Sequence, residues 1–219
     1  MLLESLSATL LIVTIISLRL VFLVWKIHKE RQTKRTVGTG QSELENASIM
    51  VVLGSGGHTK EMITFLEVVG KRFSPRYYVV AETDKFSIEK LTRLQQQRND
   101  ENHEIYKIPR SREVRQSYLS AVLTTIKAFI CTVPIVMQKK PDILLCNGPG
   151  TCIPVCIACF LSRVFFVSNT KLVYVESICR VTTLSLSGKL LYNFADSFIV
   201  QWPDLVSKFP KANYIGRLM

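Results

Sequence analysis

The sequence predicts an α/β domain built on a mainly parallel β-sheet and preceded by one transmembrane helix. From Ser48 onward, short apolar runs rich in β-branched residues alternate with longer helical patterns, which is the arrangement of a parallel sheet with helices on its faces. A separate apolar run from Ala8 to Trp25 contains one charge, Arg19. Hydrophobic residues make up 47% of the 219 residues, enough for one sizeable domain and an additional apolar segment.

The N-terminal apolar run is predicted to be an uncleaved membrane anchor. As a helix, Ala8 to Trp25 spans about 27 Å, close to the ~30 Å hydrocarbon core of a bilayer. Arg19 lies toward its C-terminal end, where the side chain can reach the headgroups. The residues before the run lack the basic character of a signal peptide. Glu4 precedes the run, and the basic residues follow it: Lys26, Lys29, Arg31, Lys34 and Arg35.

These flanking charges give the expected orientation and division of the chain. Because positive residues stay on the cytosolic side of a membrane, the N-terminus is expected in a lumen and the rest of the chain in the cytosol. Three segments follow: a lumenal N-terminus and anchor over residues 1–25, a basic cytosolic linker over 26–47 and a folded domain over 48–219. The basic linker could be solvated by water and could also lie against anionic lipid headgroups.

The formal net charge of +11 favours an anionic partner, which could be nucleic acid, a phosphorylated ligand or a membrane surface. Only 9% of the residues are aromatic, and the sequence has no basic stripe interleaved with aromatic side chains of the kind that single-strand binders use. We therefore expect no nucleic-acid partner and favour the other two classes.

A glycine turn follows the first predicted strand, Ile49 to Leu53. The turn reads Gly54-Ser55-Gly56-Gly57-His58, and a helical pattern begins directly after it. A strand, a glycine turn and a helix N-terminus together favour an anion site, where His58 could donate to a phosphate or take a proton from a hydroxyl. The string is neither the dinucleotide fingerprint, which needs glycine at Thr59, nor a P-loop. A structural turn capped by His58 remains the alternative.

The remaining elements alternate along the chain. Further strands are predicted at Tyr77–Ala81, Glu104–Ile108, Asp142–Cys146, Leu172–Val175, Ser197–Gln201 and Asn213–Ile215. Helices are predicted at Ile88–Gln97, Gln116–Met137, Cys152–Phe160, Gly188–Phe194 and Asp204–Phe209. Of these, Gln116–Met137 is apolar enough to suggest a second membrane span, but Lys127 and Pro134 argue against one. We expect an amphipathic helix that lies on the sheet or on a membrane.

Polar residues follow several predicted strands, and ligands of parallel sheets bind beyond the carboxyl ends of the strands. The residues at these ends are His58, Glu82, Arg110, Glu176 and a second glycine turn that contains Asn147, Gly148, Gly150 and Thr151. Their convergence at one edge favours a binding site there.

Six cysteines lie in apolar segments, at positions 131, 146, 152, 156, 159 and 179. Cys156 and Cys159 match C-x-x-C, but neither a second pair nor a nearby histidine completes a zinc site. We expect buried, reduced thiols, and neither a metal nor another cofactor.

Several strings, in order, resemble one known family. They are Gly54-Ser-Gly-Gly-His58-Thr, Ile108-Pro-Arg-Ser-Arg112, Leu145-Cys-Asn-Gly-Pro-Gly-Thr-Cys-Ile-Pro154, Tyr174-Val-Glu-Ser-Ile-Cys-Arg180 and Tyr214-Ile-Gly-Arg217. The family is that of the membrane-anchor subunits of the endoplasmic-reticulum UDP-N-acetylglucosamine transferase, subunit fourteen of the asparagine-linked glycosylation pathway. The same stretch is similar, more distantly, to the acceptor-binding half of MurG-type GT-B glycosyltransferases, although Leu53 replaces the first glycine of their turn.

The resemblance implies a Rossmann-like acceptor half of a split GT-B enzyme at the cytosolic face of the endoplasmic reticulum. The complex would add the second N-acetylglucosamine, from UDP-N-acetylglucosamine, to dolichyl-diphosphate-N-acetylglucosamine. This chain would anchor the complex and hold the acceptor, and a soluble partner, subunit thirteen, would bind the nucleotide sugar. The chain alone is not expected to be active. The alternative is a pure membrane adapter with no active-site residues. A nucleotide-dependent oxidoreductase is set aside, because its fingerprint requires glycine at position 59, which is Thr59 in this sequence.

The resemblance also implies roles for individual residues. His58 or Glu176 would be the general base. The acceptor diphosphate would contact the first glycine turn, two arginines and the second turn: Gly54, Ser55, Gly56, Gly57, His58, Arg110, Arg112, Asn147, Gly148, Gly150 and Thr151. The apolar C-terminus would contact the partner through Tyr214, Ile215, Leu218 and Met219. Two alternatives stay open: Glu176 as a cap or ion-pair residue, and Arg112 with Glu113 as a surface pair.

Overall fold

The computed structural model describes residues 2–36, 47–69, 72–98, 102–113 and 116–217. One sheet of seven strands is formed by β1 (Ile49–Leu53), β2 (Arg76–Ala81), β3 (His103–Ile108), β4 (Ile143–Asn147), β5 (Lys171–Val175), β6 (Ser197–Val200) and β7 (Asn213–Tyr214). The strand order is β3-β2-β1-β4-β5-β6-β7, and every neighbouring pair is parallel. The predicted α/β class is confirmed, and the predicted strands match the observed ones to within one or two residues.

The order of the strands changes direction at β1, which lies between β2 and β4. Such a switch point leaves a crevice at the carboxyl edge, because the chain leaves the two central strands toward opposite sides. In register, Leu53 pairs with Val80 and Val52 pairs with Cys146, so the turns after β1 and β4 emerge side by side.

Helices cover both faces of the sheet. They are α1 (Leu2–Thr36), α2 (Gly57–Val69), α3 (Lys85–Arg98), α4 (Tyr118–Lys139), α5 (Cys152–Val164), α6 (Leu186–Leu191) and α7 (Asp204–Lys208). The buried side chains form two clusters, one on each face of the sheet, because successive side chains of a strand point to opposite faces. Met50 and Val52 point to the cluster that includes α5, whereas Val51 and Leu53 point to the cluster that includes α2. All residues of β1, β2 and β4 are buried, as expected of central parallel strands.

The anchor helix α1 is longer than predicted, because it continues through the basic run to Thr36 instead of ending at Trp25. Its segment Ala8–Glu30 is long and apolar enough to cross a membrane. Near its C-terminal end, Leu23 and Ile27 are 2% and 1% exposed, so this part of the helix packs against the domain. Residues 37–46 of the predicted linker lie outside the described part of the chain.

The amphipathic helix α4 runs without interruption past Pro134, and Ser117 caps it by accepting from the Ser120 N–H. One side is buried on the sheet and α5, including Ala128 and Val136. The opposite side carries exposed apolar residues, among them Leu123 at 71%. By length and composition Leu119–Lys139 could also cross a membrane, so its contact with lipid stays a prediction.

The cysteines are all free, but the prediction that all are buried is wrong for two of them. Cys131 and Cys179 are exposed, because Cys131 lies on the outer side of α4 and Cys179 in the loop after β5. Burial raises the pKa of the Cys146, Cys156 and Cys159 thiols. The described residues contain no cluster of metal-ligating side chains.

Candidate functional site

The two glycine turns meet at the carboxyl edge of the sheet, one after β1 and the other after β4. Gly56 has a φ of +67°, a backbone conformation that glycine adopts without strain. Gly54 is packed so closely that a Cβ there would lie 2.3 Å from Cγ of Pro149 in the second turn. The sequence prediction that these turns come together is therefore confirmed.

Buried hydroxyls hold the first turn in place. The Thr59 hydroxyl donates to the Gly54 carbonyl, and the Ser87 hydroxyl oxygen lies 2.5 Å from Oδ2 of Asp84 and 3.1 Å from the same carbonyl, either of which can accept its one hydrogen. The two hydroxyl oxygens are 2.5 Å apart. Because α2 and α3 both contact the turn in this way, its backbone is fixed against the helix that begins at Gly57.

His58 lies at the end of a hydrogen-bonded series of polar side chains. Its Nδ1 is 2.8 Å from Oδ1 of Asn147. Asn147 Nδ2 donates to Oε2 of Glu61 at 2.7 Å, and the Ser177 hydroxyl donates to Oε1 of Glu61 at 2.7 Å. Since the amide nitrogen of Asn147 is used toward the carboxylate, its oxygen faces the imidazole as an acceptor.

The tautomer of His58 follows from these contacts. Nδ1 must carry a hydrogen to donate to Asn147, which leaves Nε2 of the neutral ring able to accept a proton. The side chain is 34% exposed, so the ring is open to a ligand. This arrangement suits a general base.

The same contacts change the proton affinities of both ionisable groups. The Glu61 carboxylate, 3.8 Å from Nδ1, raises the pKa of His58; burial opposes this effect, and Asn147 adds to it. Burial disfavours the charged form of Glu61, but hydrogen bonds with His58, Asn147 and Ser177 outweigh it and lower the Glu61 pKa. The two groups therefore stabilise each other's charged forms.

The second turn leaves space for the imidazole only because it contains glycine. Gly148 has a φ of +57°, and a Cβ at this position would lie 2.5 Å from Cε1 of His58. Gly150 has open space around it, and Thr151 is buried directly before α5. The side chain of Asn147, a predicted diphosphate contact, is hydrogen-bonded to His58 and Glu61.

A cavity of about 280 Å³ opens beside the first turn. Three of the predicted diphosphate contacts, Ser55, Gly56 and Arg110, line it. Phe86 and Lys90 of α3 line it as well, as does the buried carboxylate of Asp84, which accepts hydrogen bonds from Ser87. Arg110 forms an ion pair of 3.3 Å with Glu113 at its rim. A cavity with two cationic side chains and a helix N-terminus nearby suits an anionic group.

One of the two predicted arginines, Arg112, does not line this cavity. Arg112 donates from Nε and Nη2 to the Gln116 carbonyl. Glu113, which the surface-pair alternative assigned to Arg112, forms an ion pair with Arg110.

Glu176 is fully buried, at 0% exposure. Its carboxylate accepts from the N–H groups of Ser177 and Ser185 and from the Ser185 hydroxyl. Burial raises its pKa, and these hydrogen bonds reduce the shift. The geometry corresponds to the cap alternative, in which Glu176 holds the loop before α6, and gives the carboxylate no open path to a ligand.

The predicted partner surface is described in part. Tyr214 and Ile215 are 40% and 60% exposed, so apolar area is available there, whereas Leu218 and Met219 lie outside the described residues. The site also contains groups that the sequence analysis did not assign: Glu61, Ser177 and Lys90. Glu61 follows His58 at helical i,i+3 spacing, which was a detectable signal; Ser177 and Lys90 join the site only through the fold.

Comparison with known proteins gives one family. The family model for "Oligosaccharide biosynthesis protein Alg14 like" matches residues 49–218. The UDP-N-acetylglucosamine transferase subunit ALG14 of Homo sapiens is 46% identical over 182 residues, covering 80% of this chain and 84% of the relative. Its Mus musculus counterpart is 48% identical over 183 residues with the same shares, and that of Schizosaccharomyces pombe is 42% identical, with shares of 77% and 81%.

Among solved structures, MurG of Acinetobacter baumannii has the same fold, with a TM-score of 0.55 at 18% identity. The match covers 78% of this chain and 45% of the MurG chain. The Rossmann-like fold that the family resemblance implied is thus present. On the family model and these relatives, the chain belongs to the Alg14-like family of oligosaccharide biosynthesis proteins.

Proposed function

We propose that this chain is the membrane-anchoring, acceptor-binding subunit of a UDP-N-acetylglucosamine transferase. The relatives of several organisms carry the name of a subunit of that transferase. One observation supports a role in the reaction as well as in anchoring. It is the series of hydrogen bonds that runs from the Ser177 side chain through Glu61 and Asn147 to His58. A surface used only for recruitment would not need an open imidazole whose tautomer is fixed by buried partners.

The proposed reaction adds the second N-acetylglucosamine to dolichyl-diphosphate-N-acetylglucosamine at the cytosolic face of the endoplasmic reticulum. The apolar segment Ala8–Glu30 supports the membrane part of this proposal. The nucleotide-sugar site would come from a soluble partner, subunit thirteen of the pathway. This division of labour is supported by the relatives' names, which describe a subunit of a transferase.

The acceptor diphosphate would lie between the first glycine turn and the cavity beside it. The first N–H groups of α2 have no carbonyl partner within the helix and point toward the turn. Lys90 and Arg110, which line the cavity, supply positive charge. Together they offer the donors and cations that a diphosphate binds in proteins.

His58 would then act on the acceptor sugar. Its Nε2 takes the proton of the attacking hydroxyl while the oxygen bonds to the anomeric carbon of the donor, and the bond to UDP breaks with its electron pair leaving on the diphosphate. The Glu61 carboxylate stabilises the imidazolium that results, because it lies 3.8 Å from Nδ1. Asn147 keeps the ring in the tautomer that leaves Nε2 free.

The test is His58→Ala in the assembled complex, with His103→Ala on β3 as the matched control. We expect His58→Ala to lower kcat by about 10²- to 10⁴-fold, the range for loss of a general base, while co-purification of the partner is unchanged. His103→Ala should retain transfer. If His58→Ala transferred sugar at the normal rate, the chain would be an adapter and its imidazole would have no part in the reaction.

A further inference from the structure

An apolar groove of about 240 Å³ lies between α5 and α6, on the face of the sheet that α4 also covers. Its walls are Ile153, Ile157, Phe160 and Leu161 from α5, with Leu190 from α6 and Phe194 just after it. The α5 residues recur every three or four positions, so they form one stripe along the helix. The groove therefore follows α5 lengthwise.

The groove is open to the outside, although its walls are apolar. Ile157 is 41% exposed, Leu190 is 53% exposed and Phe194 is 39% exposed. Phe160 and Phe194 are in edge-to-face contact, with ring centroids 5.3 Å apart, which gives the groove a firm aromatic wall. A contiguous exposed apolar surface of this kind indicates a ligand or partner that covers it.

One end of the groove begins at the second glycine turn. The Ile153 N–H donates to the Gly150 carbonyl at 3.0 Å, so the first wall residue is hydrogen-bonded to that turn. The turn also carries Asn147, which orients His58. A ligand whose polar head occupied the proposed acceptor site could thus continue directly into the groove.

The other end of α5 is joined to the membrane anchor. Phe165 continues the apolar stripe and is 54% exposed, and the guanidinium of Arg19 on α1 lies 4.2 Å from the ring centroid of Phe166. The burial of Leu23 and Ile27 fixes α1 in this position. One helix therefore leads from the predicted bilayer anchor to the edge of the sheet where His58 lies.

We propose that this groove binds the part of the polyprenyl chain nearest the diphosphate of the lipid-linked acceptor. The inference rests on the proposed function, because it assumes that the diphosphate lies at the glycine turns. A polyprenyl chain is apolar and long, so it can follow a stripe that starts at the reaction edge and ends beside a membrane helix. Holding it there orients the head group and keeps the chain continuous with the bilayer.

The experiment compares two acceptors in the assembled complex of the full-length chain. One is N-acetylglucosamine diphosphate on a long polyprenyl chain, and the other carries a methyl group in place of that chain. Leu190→Glu places a charge in the groove, and we expect it to raise KM for the polyprenyl acceptor by about tenfold or more while KM for the methyl acceptor and both kcat values stay unchanged. Val68→Glu, at a position 76% exposed on α2, is the matched control and should change neither KM.

A second measurement does not depend on transfer. A polyprenyl diphosphate sugar with a diazirine in its first isoprene units should label peptides that contain Ile157 or Leu190, and excess unlabelled polyprenyl acceptor should prevent the labelling. Equal KM changes for both acceptors, labelling confined to α1 and α4, or loss of the partner from Leu190→Glu would each overturn the proposal; the last would assign the groove to a protein partner. If the complex without substitutions transferred sugar to neither acceptor, that result would instead contradict the proposed function.

Discussion

At the scale of single residues, the charge of His58 depends on Glu61. The carboxylate raises the pKa of the imidazole, and a general base is active only when it is unprotonated. The rise in activity on the acidic side of the pH profile should therefore lie at a higher pH than for an ordinary histidine. Glu61 acts through His58 and is a positioning residue.

Glu61→Gln should move that acidic limb to lower pH, because it removes the negative charge and keeps a side chain of similar shape. The measurement is kcat/KM of the assembled complex against pH, which reports the pKa of the free enzyme. Glu67→Gln, farther along the same helix, is the control and should leave the profile unchanged. If the acidic limb of the kcat/KM profile had the same midpoint pH in Glu61→Gln as in the unchanged protein, Glu61 would not set the pKa of His58.

The same pair should affect stability in a defined pH window. The pKa of His58 is raised in the folded state, so its contribution is fully present below the ordinary value of 6.5 and is lost as pH rises through the raised value. The Glu61 pKa is lowered, so its contribution is present above 4.5 and is lost as pH falls through the lowered value. Between pH 4.5 and pH 6.5, the ordinary pKa values of the two groups, both contributions to stability are therefore fully present.

Gly148→Ala is expected to reduce both stability and activity. A non-glycine residue at a φ of +57° costs about 1–2 kcal/mol, and the new Cβ would displace the His58 ring. Denaturant unfolding should show the loss of stability, and transfer assays should show the loss of kcat. Gly150→Ala, where a Cβ meets open space, should leave the free energy of unfolding nearly unchanged. Equal destabilisation by both variants would contradict this explanation.

At the scale of secondary-structure elements, α1 combines a segment that could cross a membrane with side chains that pack against the domain. Leu23 and Ile27 are buried, and Lys211 Nζ lies 3.1 Å from Nε2 of His28. The C-terminal end of the helix therefore belongs to the packed structure, whereas the sequence suggested a separate linker after Trp25.

Two truncations separate these roles. A chain that begins at residue 20 retains Leu23 and Ile27, and a chain that begins at residue 36 loses both. We expect the longer one to be more stable by roughly 3–6 kcal/mol, from about 1.5–3 kcal/mol for each buried aliphatic side chain. Urea unfolding measures the difference, and both chains should be released from membranes by a high-salt wash. Retention of both would identify the exposed side of α4 as a second anchor.

At the scale of the whole molecule, the order of the strands brings the site together. β1 lies between β2 and β4, so the turns that carry His58 and Asn147 are adjacent although they are far apart in the chain. The exposed residues Tyr214 and Ile215 lie on or just after β7, the last strand on one side of the sheet. Because β7 is parallel to its neighbour, its end points to the same carboxyl edge as the candidate site.

Ile215→Asp should weaken binding of the nucleotide-sugar subunit, because it places a charge on an apolar surface that the partner would cover. Co-purification from detergent should fall by about tenfold or more, equivalent to at least 1.4 kcal/mol, while membrane association is unchanged. Val68→Asp, on exposed apolar surface of α2, is the control. Undiminished co-purification would place the interface elsewhere on the domain.

Most of the fold could be predicted because its determinants are local. The continuous apolar runs of β1 and β4, the glycines after them and the alternation of strands and helices indicated a parallel sheet with a site at its carboxyl edge. Helix ends were less predictable, and α1 continues past Trp25 because its basic residues are good helix formers. The exposure of Cys131 depends on which side of α4 faces the sheet, and composition does not decide this.

The sequence by itself determined the fold class, the apolar N-terminal helix, the family resemblance and the place of His58 after the first strand, since each is recorded in a continuous stretch of residues. Only the tertiary structure decided that Glu61, Asn147 and Ser177 orient His58 and that Glu176 is enclosed as a cap. It also decided that Arg110, and not Arg112, lines the cavity. The physical reason is that hydrogen-bond partners and burial depend on contacts between distant segments, which strand order and helix packing create.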